Sequence, residues 1–211
     1  MKNGRLHMNN GRLHMNNGNR IELKGILRNV QPSHKIKGIN FDKAELVVSS
    51  NNSEDVINLK FKKFSNPYKE GQEISLVGNV RSFSSKNEDN SNNVEVYVFT
   101  YFDIPEDDLS NHFSIEGRIC KKTELRQTKY GKEFCRIILA NNIFGEGIKI
   151  NSYLPCIAWG KNAKDLNTLD VSDKIRITGK LKSREYKKDL PDGQFEIRVC
   201  HELIIEDFAL L

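Results

Sequence analysis

One short segment of the chain combines aromatic rings with alternating hydrophobicity. In YLPCIAW, residues 153–159, the small apolar set is Leu154, Cys156 and Ala158. The alternating, larger set is Tyr153, Ile157 and Trp159. Such alternation is typical of a strand with one buried face, so two large rings are expected on the polar side. Rings open to solvent can stack on planar ligands. The alternative is that they cover a dimer interface or pack under a loop.

A second segment places cations where they could bind an anion. Along residues 173–186, Ile175, Ile177, Gly179 and Leu181 alternate with a polar set. The polar set is Arg176, Thr178, Lys180, Lys182, Arg184 and Tyr186. A row of cations beside an aromatic ring suits a phosphate backbone whose unpaired bases stack. For each single lysine, ordinary solubility is the alternative explanation.

The charge distribution favours a polyanionic partner. The chain has 211 residues and a formal net charge of +5. Between Lys121 and Lys188 there are 16 basic and seven acidic residues. Acidic residues collect instead at 103–108 and 202–207. A solvated charged face is the alternative, but this segregation is typical of a nucleic-acid site.

An internal repeat indicates a duplicated domain. The matched segments are RIELKGIL with HFSIEGRI, INFDKAEL with KEFCRIIL, residues 72–83 with 173–184, and EVYV with EIRV. The alignment pairs Gly25 with Gly117 and Gly78 with Gly179. Because the segments keep one order, the halves are expected to share one fold.

The periodicity predicts an all-β protein of two tandem five-stranded OB-fold Greek-key barrels, each with at most one short helix. Glycines in mid-strand suit strands that bend at a barrel corner. GKNAKDLN, residues 160–167, is the predicted helix between the third and fourth strands of the second barrel. The predicted segments are a disordered leader at 1–18, domain 1 at 19–103, an acidic linker at 104–111 and domain 2 at 112–211.

Further candidate binding residues lie on the predicted outer faces of both barrels. In the second half they are Phe134, Arg136, Lys161, Lys180, Lys182 and Arg184. In the first half, LKFKKFSNPY interleaves lysines with rings, although some of its phenylalanines must be core. The candidates there are Lys60, Phe61, Lys62, Arg81 and Phe83. We expect weaker binding, or an interface role, for the first half.

Two motifs resemble the bacterial single-stranded DNA-binding proteins. YLPCIAWGKNA, residues 153–163, is similar to that family's third strand and helix start, and KIRITGKLKSREY, residues 174–186, to its fourth strand. The resemblance covers about residues 113–208, and the first half only through the repeat. It implies base-stacking roles for Tyr153, Trp159, Tyr186 and, in the loop before the third strand, Phe144.

The resemblance also implies a biological role. It points to sequence-tolerant coating of single-stranded DNA in replication, recombination or repair, with replication or repair proteins as further partners. The family usually has one OB domain per chain, whereas two are predicted here. A homodimer would therefore bring four OB domains together.

Other classes of function find little support in the sequence. No nucleophile constellation, dinucleotide or phosphate-loop motif is present, so we expect neither an enzyme nor a cofactor. The four cysteines lack zinc spacing and are expected to be reduced core thiols without a metal. No membrane span or secretion signal is seen, so a cytoplasmic location is expected. The alternatives are an OB-fold protein-interaction or primosome-type scaffold, and a single-stranded RNA binder.

Overall fold

A computed structural model describes residues 18–50, 53–63, 69–86, 92–103, 110–145, 148–189 and 193–211. The first half contains β1 (Asn19–Ile36), β2 (Ile39–Ser50), β3 (Ser53–Lys62), β4 (Glu73–Lys86) and β5 (Asn92–Asp103). The second half contains β6 (Asn111–Lys122), β7 (Arg126–Gln127), β8 (Glu133–Gly145), β9 (Ile148–Trp159), α1 (Gly160–Asn167), β10 (Lys174–Asp189) and β11 (Phe195–Leu210).

Some predictions fall outside the described residues. These are the leader at 1–17, most of the acidic linker at 104–109, and the side chain of Phe144. Strand β6 begins at Asn111, one residue before the predicted start of the second domain. The domain limits themselves stay predictions.

Each half closes into the same five-stranded barrel. In the first half the strands pair in the cycle β1–β2–β3–β5–β4–β1, and in the second half in the cycle β6–β8–β9–β11–β10–β6. Strands β3 and β5 run parallel to each other, as at Leu59 with Val98, and so do β9 and β11, as at Cys156 with Leu203. All the other pairings in the two cycles are antiparallel. The predicted pair of OB-fold barrels is therefore confirmed.

Glycines allow the first strand of each barrel to bend. At Gly25, β1 passes from its pairing with β4 to its pairing with β2, and β6 makes the same change at Gly117. A Cβ atom on Gly25 would overlap the carbonyl oxygen of Val47, and one on Gly117 would lie 2.6 Å from that of Ala140. These close backbone approaches explain why the repeat keeps a glycine in mid-strand.

The barrel interiors are filled by the inward side chains that the alternation predicts. In the second half, Phe113, Ile177 and Leu203 are among the fully buried residues. Helix α1 has the predicted bounds and buries Ala163 and Leu166 against this core. Within the part of the chain that the structure describes, no helix is long and apolar enough to cross a membrane.

The two barrels join through one antiparallel ladder. Strand β1 pairs with β6 from Asn19 opposite Ile115 to Leu23 opposite Asn111, and Ile21 faces Phe113 at the centre. Ile21 and Phe113 are equivalent positions of the repeat. The joint is therefore nearly symmetric, as in an isologous dimer interface between two copies of one surface.

Side-chain amides on the two strands of this joint make the same hydrogen bonds in each half. The amide of Asn19 donates to the carbonyl oxygen of Val80 at 2.8 Å and accepts from its N–H at 2.9 Å. Asn111 makes the same two bonds to Leu181, at 2.8 and 3.0 Å. Both amides are buried, and so the paired bonds satisfy groups that would otherwise be costly to bury. Each asparagine thus ties the first strand of its own half to the fourth.

A polar cluster connects β3 of the first half to β10 and β11 of the second. The N–H of Val56 donates to the Ser183 hydroxyl at 2.9 Å. Asp55 accepts from the Ser183 N–H at 3.0 Å and from the Lys182 ammonium at 2.7 Å. The imidazole Nε2 of His201 lies 2.7 Å from the Val56 carbonyl oxygen. These four polar contacts therefore hold β3 of the first half against the second half.

Replacing Gly117 with alanine should destabilise the second barrel. The new Cβ would meet the Ala140 carbonyl and the Leu139 side chain, both within 2.7 Å. We expect a loss of about 1–3 kcal/mol in the free energy of unfolding, as for other overpacked sites. Urea denaturation measures it, with Ser75→Ala on an exposed strand position as the control. Equal stability of the two variants would contradict the close approach.

Acidification should weaken the fold through His201. Burial lowers its pKa below the ordinary value of 6.5, although the Val56 carbonyl, Glu95 and Asp55 partly oppose that shift. The unfolded chain therefore takes up the proton first as the pH falls through 6.5 towards the folded-state pKa, and stability is lost over that window.

Urea titrations at several pH values between about 7 and 5 test this loss. His201→Gln should lose less stability on acidification than the unmodified protein. The matched control is His34→Gln, because His34 is exposed. If both variants keep the full pH dependence, His201 is not the group responsible.

Candidate nucleic-acid interface

Two rings lie side by side on the outer face of the second barrel. Phe134 on β8 is the direct register partner of Trp159 on β9. Their ring centroids are 5.5 Å apart and the planes are inclined by 48°. The Lys132 ammonium lies 4.7 Å from the centroid of the Trp159 ring. Both rings are only partly buried, so each keeps surface that a planar group can reach.

Arg136 continues this face across the sheet. It is two residues from Phe134, and its guanidinium lies 5.3 Å from that ring. Its Nε is 3.5 Å from the Glu202 carboxylate on β11. Because β9 lies between β8 and β11, the Arg136 side chain must cross β9, and it does so at its register partner Ile157. Ile157 shares the outward face with Arg136, as predicted, but it is only 1% exposed because the arginine and the flanking strands cover it.

The face ends at a second arginine and a tyrosine on β10. The Nε of Arg184 lies 3.9 Å from the other oxygen of Glu202, and its guanidinium is 5.9 Å from the Tyr186 ring. Rings and charges therefore follow one another across four strands. We call this set the aromatic–cation row; it consists of Lys132, Trp159, Phe134, Arg136, Glu202, Arg184 and Tyr186.

Tyr153 is exposed but lies apart from this row. Its side chain is 53% exposed, and its backbone N–H donates to the Ser82 hydroxyl of the first half at 2.8 Å. Trp159 lies six positions further along the strand, which is roughly 20 Å at the usual rise. Tyr153 thus marks the border between the two halves and is not a neighbour of Trp159.

The remaining predicted cations of the second half differ in their surroundings. Lys161 is exposed at the start of α1, and Lys180 lies 3.4 Å from Glu206 in an exposed pair. The Lys182 ammonium is bound to Asp55, whose carboxylate is buried in the joint between the halves. The position of Lys182 therefore does not support its predicted contact with phosphate, because its charge is already engaged by a buried carboxylate.

The candidate binding residues of the first half differ in their exposure. Phe61 is 3% exposed and belongs to the barrel core, so its predicted place on the binding face is wrong. Arg81 is also buried, with its guanidinium 4.0 Å from the Phe99 ring. Alternation alone could not place it, because the ring on β5 covers the outer face there. Phe83, by contrast, is exposed as predicted.

Lysines of β3 complete the first-half face. Lys60 lies 3.0 Å from the Glu95 carboxylate and 4.1 Å from the Tyr97 ring. Lys62 is the register partner of Phe41, just as Trp159 is the partner of Phe134 in the second half. At this position the first half therefore presents a cation where the second half presents a ring.

The sequence did not predict two features of the second half, an exposed tyrosine and the position of Glu202 between two arginines. Tyr130 is 83% exposed at the turn between β7 and β8, and the Lys129 ammonium lies 5.0 Å from its ring. The turn is ordered by the Thr128 hydroxyl, which accepts from the Lys132 N–H at 3.1 Å. A tyrosine and a glycine between two lysines could have signalled this turn, whereas nothing in the sequence places Glu202 between two arginines.

An apolar stretch of β11 was missed for a different reason. Phe195, Ile197 and Val199 are all more than half exposed, and the Lys187 ammonium lies 4.0 Å from the Phe195 ring. Their alternation is that of a buried face, but here β10 and β11 extend beyond the barrel and pair only with each other.

The cysteines do not form a metal site in the described part of the chain. Cys135 and Cys156 are buried as predicted, Cys200 is half-buried, and Cys120 is exposed rather than in the core. Burial raises the pKa of the Cys156 thiol, which keeps it protonated. Among the described residues, no three His, Cys, Asp or Glu side chains are grouped as metal ligands would be.

The fold and this face together define a tandem OB-fold protein with a cationic, aromatic surface on its second barrel. The model of the single-strand binding protein family matches residues 110–211. The resemblance seen in the third and fourth strands of the second barrel is confirmed. No curated protein matches the chain.

Solved structures with the same fold cover both halves. A deletion mutant of the single-stranded DNA binding protein from Thermus aquaticus matches with a TM-score of 0.68 and 18% identity, over 93% of this chain and 96% of that chain. The wild-type Thermus aquaticus protein matches with a TM-score of 0.66 and 17% identity, over 92% of each chain. These likenesses show that the tandem arrangement of barrels is shared.

Removal of two neighbouring cations on β10 should have different effects on the stability of the protein. Lys182→Ala leaves the buried Asp55 carboxylate without its ammonium partner, so we expect a loss of about 1–3 kcal/mol in unfolding free energy. Arg184→Ala removes a more exposed charge and should leave stability nearly unchanged. Urea denaturation of both variants measures the difference. Equal losses would contradict the assignment of Lys182 to the joint.

Proposed function

We propose that this protein binds single-stranded DNA without strong sequence preference. The observation that carries the proposal is the pair of partly exposed rings, Phe134 and Trp159, flanked by Lys132 and Arg136. The match of residues 110–211 to the model of the single-strand binding protein family supports it. The solved Thermus aquaticus proteins of the same fold are also single-stranded DNA binding proteins.

The geometry suits unpaired bases better than a duplex. Bases that stack on aromatic side chains must first be unstacked from their neighbours, and each stack contributes roughly 1–3 kcal/mol. Every base has a flat face, so stacking on Trp159 or Phe134 discriminates little between sequences. The cations beside the rings attract the backbone, whose charge is also independent of sequence.

The two barrels are expected to contribute unequally. The second barrel supplies the rings of the aromatic–cation row. The first barrel offers Lys60 and Lys62, with the exposed ring of Phe83, but its Phe61 and Arg81 are buried. We therefore infer that the first barrel mainly contributes backbone contacts, and that bases stack mostly on the second.

The wider role follows from coating unpaired strand. We place the protein in replication, recombination or repair, where such strand arises, and in the cytoplasm. It acts as a binding protein rather than as an enzyme. The homodimer with four OB domains, and contacts with replication or repair proteins, stay predictions.

Fluorescence of Trp159 can test the proposal directly, because it is the single tryptophan of the chain. Stacking of a base on the indole should quench its emission. Titration with oligo(dT) should quench strongly and lose affinity steeply as salt rises. Oligo(rU) tests the RNA alternative, and duplex DNA should bind weakly. A scaffold that binds only protein would show no salt-sensitive change with any of the three.

Removal of the Trp159 or the Phe134 ring should weaken binding of single-stranded DNA without changing the fold. We expect Trp159→Ala and Phe134→Ala each to raise the dissociation constant for oligo(dT) by roughly tenfold, the cost of one lost stack. Anisotropy of a labelled oligonucleotide measures this without the tryptophan. Val171→Ala, at an exposed apolar residue off the aromatic–cation row, is the control. Wild-type affinity in both ring variants would overturn the site.

A further inference from the structure

Glu202 is an acidic residue at the centre of a face proposed to bind an anion. Its side chain is 21% exposed, and its two oxygens point to different arginines. Oxygen Oε1 lies 3.5 Å from the Nε of Arg136, and Oε2 lies 3.9 Å from the Nε of Arg184. The two arginines come from β8 and β10, on opposite sides of β11 in the sheet. The carboxylate therefore joins two cations that the fold brings together from separate strands.

Other acidic residues near the face bind differently. Glu133 lies 2.9 Å from the Lys164 ammonium of α1, and Glu206 lies 3.4 Å from that of Lys180. Neither of these lysines belongs to the aromatic–cation row. Glu202 instead engages both arginines of the row. A carboxylate here repels an approaching phosphate and occupies the guanidinium groups that would bind it.

We propose that Glu202 occupies, in the free protein, the position that a backbone phosphate takes between Arg136 and Arg184 when single-stranded DNA binds. The carboxylate keeps the two arginines together on the face, and it competes with the incoming strand for them. It thereby limits affinity and reduces the salt dependence of binding. This inference rests on the proposed function, because the phosphate belongs to the single strand bound on the row.

The alternative role for Glu202 is purely positional. If its only effect were to hold Arg136 and Arg184 in place for DNA, its removal would loosen both arginines and weaken binding. Competition predicts the opposite sign. The two roles are therefore distinguished by the direction of the change, and by the salt slope, which a loosened side chain would not steepen.

The test compares Glu202→Gln with Glu206→Gln in the full chain. Glutamine preserves the shape of the side chain and removes its charge, and Glu206 serves as the matched control because its lysine partner lies off the row. Binding of labelled oligo(dT) is measured by anisotropy over a series of KCl concentrations. Urea denaturation confirms that both variants are folded.

We expect Glu202→Gln to bind roughly threefold to tenfold tighter than the unmodified protein at low salt, with a smaller change in Glu206→Gln. The slope of log affinity against log salt should steepen by about 0.7 for each additional phosphate contact. In an Arg136→Gln background the gain from Glu202→Gln should shrink, because one of the released cations is then absent.

Three results would overturn the inference, two of them without affecting the proposed function. Weaker binding in Glu202→Gln, or a change no larger than in Glu206→Gln, would refute competition while single-stranded DNA binding stands. Absence of salt-dependent oligo(dT) binding by the unmodified protein would refute the proposed function, and this inference with it.

Discussion

The antiparallel pairing of β1 with β6 is the interaction on which the rest of the structure depends. It sets Ile21 opposite Phe113, two equivalent positions of the repeat, and so relates the barrels by an approximate two-fold axis. The side-chain amides of Asn19 and Asn111 make equivalent pairs of hydrogen bonds, one pair in each half. With the barrels fixed in this way, Lys182 and His201 of the second half reach β3 of the first. The joint is a hydrogen-bonded ladder, and the proposed binding face lies on strands outside it.

The proposed binding face is an assembly of neighbouring strands, and no single segment supplies it. Trp159 and Phe134 meet because β8 and β9 pair in one register, and a slip of one residue would turn one of the rings into the barrel. Arg136 and Arg184 meet Glu202 because β11 lies between their strands in the sheet order. The closure of the barrel therefore sets the spacing between the rings and the charges. Stability of the fold and geometry of the site are thus coupled through strand register.

The two-residue alternation of hydrophobic side chains and the internal repeat were enough to predict the fold from the sequence. Alternation gave the faces, and the repeated glycines marked the bends at Gly25 and Gly117. Side-chain environments were harder to predict, because alternation reports only which way a residue points. Phe61 is in the core, Ile157 lies under a long arginine, and Lys182 is bound to a carboxylate of the other half. The environments of Ile157 and Lys182 depend on residues distant in sequence, which a local pattern cannot contain. Phe61 instead follows the local alternation of Ile57 and Leu59, which already indicates the core.

One consequence concerns how the two barrels can change over time. In an assembly of identical subunits, a substitution appears at every symmetric copy of a position. Here the equivalent partners of Phe41 and Phe134 are encoded separately, and one is Lys62 while the other is Trp159. Because the two barrels are parts of one chain, the residues at this position can differ between them. Substitutions in one barrel can therefore adapt it to its ligand while the other barrel takes on a structural role. Neither set of substitutions has to appear in both barrels.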